Sequence, residues 1–238
     1  MPANSDRRIH GGYDGPVVTI YVGKDADQVK YKLSKNLVCY YSDFFDKAFN
    51  GDFIEGQEQV LYLTEEKKQT FELFIHWAYT GKLVLSVLPK PVQGTDGAQS
   101  SDVTVETIDI CLDLLLFADK MLLASEGPAT TVEIYLRSLL MEKRNGLLPR
   151  HVKLALTLRS GHPVRHLFAN AITQEFMKAN WYTASKPKAE SMFEITFAQN
   201  KDFALDMLIS VTKTLKTRRM SKKDFILIDP LDCKEFTL

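Results

Sequence analysis

His162 and His166 stand four residues apart, a spacing that sets two imidazoles on one helix face, where a zinc ion could be held. Only Pro163, Val164 and Arg165 lie between them. No glutamate is there to serve as a metalloprotease base, and no cysteine is near to complete a ligand set. A helix-start histidine followed by a surface histidine accounts for the pair equally well. His76, beside Trp77 in an apolar run, reads as a histidine at the edge of a core. Covalent catalysis would need a hydroxyl or thiol with a base and an orienting group, and no G-x-S-x-G string occurs. Gly23-Lys24 and Gly81-Lys82 lack the upstream glycine and the following Ser or Thr of a phosphate-binding loop. The cluster Gly11-Gly12-Tyr13-Asp14-Gly15 precedes a strand rather than joining a strand to a helix, so it is no dinucleotide fingerprint. We therefore expect no catalytic, cofactor-binding or metal-ligating residues, and rank an enzyme last among the function classes.

Cys39, Cys111 and Cys233 are odd in number and far apart, without pairing or metal spacing; we expect buried free thiols in a reducing compartment. The basic concentration Lys213, Lys216, Arg218, Arg219, Lys222 and Lys223 could mark nuclear import or a nucleic-acid contact. It fits a solvated helix C-terminus as well, where the helix dipole favours cations. The 30 basic and 30 acidic residues cancel to a formal net charge of zero, which argues against nucleic-acid or membrane binding by bulk electrostatics. The polar start MPANSDRRIHGGYDG lacks a signal-peptide core, and no N-x-[ST] sequon is present. The most apolar stretch, 108–123, carries Asp109, Asp113, Asp119 and Lys120 and is too short and charged to span a bilayer. These features point to a soluble, intracellular protein, cytoplasmic or nuclear, with no membrane partner.

Hydrophobic residues at 45% and charged residues at 25% give the balance of a globular chain able to bury a core. After a polar tail, 1–14, the β-branched run 17–22 ended by Gly23 predicts a strand. Val29, Tyr31 and Leu33 alternate with polar residues and predict a second, half-buried strand. Ser34 is placed to cap a helix carrying Leu37, Val38 and Tyr41; Ser42-Asp43 restarts it through Phe45 and Phe49, and Asn50-Gly51 stops it. Val60 to Leu63 predicts a third strand. Thr64 is then expected to cap a helix with Phe71, Phe74, Ile75 and Ala78 on one face, ended by a left-handed Gly81. Residues 86–104 lack periodicity and are expected to form an irregular insertion.

Beyond it the chain reads as helix after helix. One carries Val105, Ile108, Leu112, Leu115, Leu116 and Leu122; the next spans 130–143; Pro149 and Pro163 each open another. The Pro163 helix carries Leu167, Phe168 and Ile172 on a face that must bury against the first half of the chain or a partner groove. A last helix, about 202–216, is expected to bury Ala204, Leu208, Val211 and Leu215. Phe225 to Pro230 reads as a final strand or an extended docking segment.

The string Val17-Val18-Thr19-Ile20-Tyr21-Val22-Gly23, then Leu33 to Phe45, resembles the opening of a fungal-type BTB/POZ domain. The likeness continues through Phe49-Asn50-Gly51-Asp52-Phe53-Ile54-Glu55-Gly56, Tyr79-Thr80-Gly81-Lys82-Leu83 and Phe117-Ala118-Asp119-Lys120-Met121. Ser34 stands where the family usually has a structural histidine, and as an N-cap it can take that place. The resemblance implies an α+β fold: a small β-sheet flanked by α-helical hairpins over 15–125, with the insertion 86–104 inside it. A mostly helical extension, 126–238, follows. It implies no cofactor and function by surface contact: an adaptor or scaffold for other proteins, a homodimer formed through the first helix, and a cullin-type ubiquitin ligase among the assemblies such domains serve. Tyr40, Tyr41 and Phe44 are the protein-binding candidates, because aromatic residues beyond the needs of one helix face often anchor partners; core packing is the other reading of Phe44. The alternative is a nuclear regulatory scaffold using the basic segment 213–223.

Overall fold

Val18, Ile20 and Val22 are completely buried, and their period-two spacing turns one whole face of β1 (Val17–Val22) inward. In the computed structural model, which describes residues 15–84, 100–123, 127–181, 199–221 and 224–238, β1 is the middle strand of a three-stranded sheet. It pairs antiparallel with β2 (Val29–Ser34) and parallel with β3 (Val60–Leu63). The helices of this region are α1 (Lys35–Tyr41), α2 (Asp43–Asn50), α3 (Ile54–Glu58) and α4 (Lys68–Thr80). Farther on come α5 (Ser100–Lys120), α6 (Pro128–Glu142), α7 (Pro149–Ala155), α8 (Pro163–Trp181) and α9 (Lys201–Lys216). The short strands β4 (Arg219–Ser221), β5 (Asp224–Ile228) and β6 (Glu235–Thr237) close the order. The α+β class read from the sequence holds, with a mixed sheet first and a mostly helical region after it.

The chain divides into two compact units. One comprises Met1–Val92 with Asp113–Val132, the other Gln93–Leu112 with Glu133–Leu238. In the first, Phe45, Phe49, Phe71, Phe74 and Phe117 are fully buried. Phe74 lies 6.0 Å from Phe45 and 5.4 Å from Phe117, centroid to centroid, so α2, α4 and the end of α5 share one aromatic core. In the second, α8 packs on α7 and α9, and Leu167, Phe168 and Ile172 are buried. Met177 of α8 meets Leu227, Phe236 and Leu238 of the β4–β5–β6 meander.

Several local expectations need correction. Thr64 does not cap a helix: Leu63 to Glu66 form a turn closed by the Glu66 N–H on the Leu63 carbonyl, and α4 begins only at Lys68. Within the expected insertion, residues 86–99 lie outside the described residues, but 100–104 are helical. Thr104 is buried where Gly146 lacks a side chain, extending the Ile108 stripe backward by a turn. Leu122 is not on the buried stripe. It is exposed at φ 48° just past α5, where the chain turns so that Leu123 can bridge Ser42. On α9, Ala204, Leu208 and Leu215 face water; the buried residues are Phe203, Asp206, Met207, Ser210 and Thr214. Polar groups can occupy that face because α8 satisfies them. Arg165 Nη2 lies 3.0 Å from Asp206 Oδ2, Ser210 Oγ donates to Asn170 Oδ1 at 2.8 Å, and Thr173 Oγ1 lies 2.7 Å from Ser210 Oγ. Of the cysteines only Cys111 is buried, and burial pushes its thiol up to about 12. Cys39 is half-buried, and Cys233 is exposed in the Asp229–Lys234 turn. The expected tail, 1–14, lies outside the described residues.

Candidate protein-interaction surface

Ser34 ends β2 and caps α1, its Oγ accepting the Leu37 N–H at 3.4 Å. That fixes the phase of the helix: Leu37 and Val38 turn inward, and Tyr40 is left 61% exposed. Tyr41 packs edge-on against Trp77 with centroids 4.9 Å apart, and Tyr40 in turn meets Tyr41 edge-on at 5.0 Å. Ser42 then breaks the helix with an extended backbone (φ −141°) and caps α2, its Oγ accepting the Phe45 N–H at 3.0 Å. The same hydroxyl donates to the Met121 carbonyl at 2.6 Å, tying the start of α2 to the end of α5. Phe44, in the first turn of α2, is half-buried and lies edge-on to Phe45 at 5.5 Å. Of the three residues singled out from sequence, Tyr40 alone presents its ring chiefly to solvent. Tyr41 supports it from below, and Phe44 is partly committed to the core.

Sequence reasoning passed over Phe53 and Ile54, which are 67% and 62% exposed at the start of α3. Phe53 lies over Gly51, where an added Cβ would come within 3.2 Å of its ring; a Cβ on Gly56 would run into the Gly51 carbonyl oxygen. The two glycines therefore let the α2–α3 connection fold close on itself with two apolar side chains pointing out. The available signal was a Phe-Ile pair inside the polar string DFIEGQEQ with no periodic apolar partner. On the solvent face of the sheet, Tyr21 and Tyr62 stack at 4.9 Å, and Lys30 Nζ lies 5.5 Å from the Tyr21 ring centre. Tyr31 is held protonated well above its ordinary range, by burial first and then by its hydrogen bond to Glu72.

The residues considered for chemistry are engaged separately. His162 is buried, with Nδ1 accepting the Val164 N–H at 3.2 Å, whereas His166 Nδ1 lies 3.4 Å from Asp206 Oδ1. Among the described residues no group of three or more His, Cys, Asp or Glu is arranged to hold a metal ion, and no helix is long and apolar enough to cross a membrane. His76 Nδ1 lies 3.3 Å from the Lys82 carbonyl at the end of α4. Of the basic segment, Lys213, Lys216 and Arg218 are exposed, Arg219 pairs with Glu235, and Lys222 and Lys223 lie outside the described residues.

The strand pair, the capped α1–α2 hairpin and the third strand form one contiguous pattern, and residues 17–95 match the BTB/POZ domain family. Residues 17–95 are a BTB/POZ domain. A BTB/POZ domain works as a protein–protein interaction module, so the exposed aromatic and aliphatic side chains on its α1–α3 segment are the natural place to look for a partner contact. A search of curated proteins returns no match to the chain.

Proposed function

We propose that the protein is a protein–protein interaction adaptor, working by contact rather than by chemistry in the cytoplasm or nucleus. In this reading its BTB/POZ unit runs on to about residue 125, and 126–238 is a helical extension that carries further contacts. Partners are held at the α1–α2 segment, with Tyr40 as the anchor, Tyr41 setting its position and Phe44 lining the border. The observation that carries this is the exposure of Tyr40, a large rigid ring held over Tyr41 and Trp77. The finer reading is a substrate receptor for a cullin-type ubiquitin ligase that also forms a homodimer through α1.

Capture of the full chain by a tagged cullin scaffold tests this reading, with Tyr40→Ala in parallel. A buried aromatic anchor is worth about 2 kcal/mol or more, so the variant should bind roughly thirtyfold more weakly while remaining folded. Failure of the unaltered chain to co-purify with any cullin removes the ligase role. Retention of full binding by Tyr40→Ala removes the assigned surface.

A further inference from the structure

Helix α9 carries two stripes on opposite sides. One is buried, through Phe203, Asp206, Met207, Ser210 and Thr214. The other faces water and holds Leu205 at 57% exposure, Leu208 at 62%, and the half-exposed Ile209 and Leu215. Leu205, Leu208, Thr212 and Leu215 are spaced three, four, three, which is the a–d–a–d rhythm of a coiled-coil seam. The residues that α9 buries in its own unit, Phe203, Asp206, Met207, Ser210 and Thr214, all stand at b, c or f positions, which such a helix ordinarily shows to solvent. What is left open is the face shaped to receive another helix.

We infer that the outer face of α9 pairs with the α9 of a second copy of this chain, antiparallel, about a two-fold axis passing near Ile209. Charge selects this occupant and orientation. The e positions are Asp202, Ile209 and Lys216, seven residues apart, and in an antiparallel pair each e row meets its own copy. With Ile209 beside its counterpart, Asp202 of each helix falls opposite Lys216 of the other. The same register layers Leu205 on Leu215 and Leu208 on Thr212. A parallel pair would set the e row against Ala204 and Val211 and leave both charges without a mate. Asp202 is 75% exposed, and Arg165 Nη2 approaches its carboxylate only to 4.0 Å; Lys216 is exposed as well. Sixteen residues give only about 24 Å of seam. The contact is therefore reversible and concentration-dependent, and distinct from any association through α1.

The test uses the full chain with Cys39→Ser and Cys233→Ser, leaving the buried Cys111 in place. Ile209→Cys in that background should be captured as a covalent dimer by a bismaleimide. Leu205→Cys should not, because its own counterpart lies about 15 Å along the seam, beyond the reach of a short linker. Cross-linking at 205 rather than 209 would mean a parallel pair, and none at either position would mean that something other than a second copy covers the face; both overturn the inference. Asp202→Lys and Lys216→Asp should each weaken association roughly fivefold, read as mass against concentration in sedimentation, since each sets like charges opposite one another. The double swap should restore it to the original value, which a folding defect could not do. An unchanged curve for both single variants also overturns the inference.

Discussion

Replacing Ser42 by alanine would remove two hydrogen bonds that one buried oxygen makes. The hydroxyl caps α2 through the Phe45 N–H and donates to the Met121 carbonyl, and the residue is 1% exposed. Loss of an N-cap costs about 1 kcal/mol. The Met121 carbonyl, left without its hydroxyl in a site closed to water, adds about 1–3 kcal/mol. The expected loss is thus about 3 kcal/mol in all, or roughly 9 °C in Tm at about 3 °C per kcal/mol for a chain of this size. Ser42→Thr keeps the hydroxyl and should recover more than half of it. Because Ser42 sits between Tyr41 and the first turn of α2, the alanine variant should also lose partner capture below its own Tm. Thermal unfolding followed by circular dichroism gives the number. A shift under about 2 °C would refute the reasoning, meaning that water or a relaxed backbone replaces both bonds at no cost.

Tyr40→Ala should change stability by no more than about 0.5 kcal/mol. Tyr41→Ala, which strips a ring from Trp77, should cost about 2 kcal/mol in urea titrations, and equal costs would contradict the assignment of anchor and support. Arg144 lies 2.6 Å from the buried Asp229 and 3.2 Å from Asp232, so Arg144→Ala should cost about 3 kcal/mol by leaving the buried Asp229 carboxylate without its cation. Asp229→Asn should cost less, since its Oδ1 still accepts the Leu231 N–H, and the reverse ranking would be decisive against this account. His151 is fully buried, with Nδ1 accepting the Leu148 N–H at 3.0 Å and Nε2 3.1 Å from Asp109 Oδ1 but poorly aligned with it. Burial holds the imidazole below its ordinary value of 6.5, outweighing the opposing pull of Asp109. The unfolded chain therefore takes up the proton first, and stability should be full above about pH 6.5 and fall as the pH drops below it. Equilibrium unfolding from pH 8 to pH 5 measures the slope, and His151→Gln should flatten it.

Much of the first unit was legible because local rules and tertiary packing agree there. The β-branched run at Val17–Val22, the alternation at Val29–Ser34, and Ser34, Ser42 and Gly81 at helix ends each specify a local geometry that packing then keeps. Tyr40 was legible as a surface residue because Leu37 and Val38 already fill the inward side of α1. Misreadings arise where distant partners decide. The α9 stripe was misassigned because Ser210 and Asp206 look like solvent residues until the α8 side chains that satisfy them are known, and Thr214 looks like one until its hydroxyl is seen to donate to the Ser210 carbonyl of its own helix. Strands β4 and β6 span three residues each, Arg-Met-Ser and Glu-Phe-Thr, too few to show a period. Thr64 has the chemistry of a cap, but the turn from Leu63 to Glu66 takes its place.

The division of the chain has a bearing on modularity. Within the described residues the boundary between the units falls twice inside a helix, in α5 between Leu112 and Asp113 and in α6 between Val132 and Glu133. A gene segment encoding only the stretch matched by the family, 17–95, would supply Phe71 and Phe74 but not Phe117, whose ring lies 6.0 Å and 5.4 Å from theirs. It would also lack Met121, whose carbonyl accepts the Ser42 hydroxyl. The matched stretch alone therefore lacks contacts that complete the core of its own unit. A fusion or a truncation that respects these contacts would keep residues 113–132 with the BTB/POZ domain.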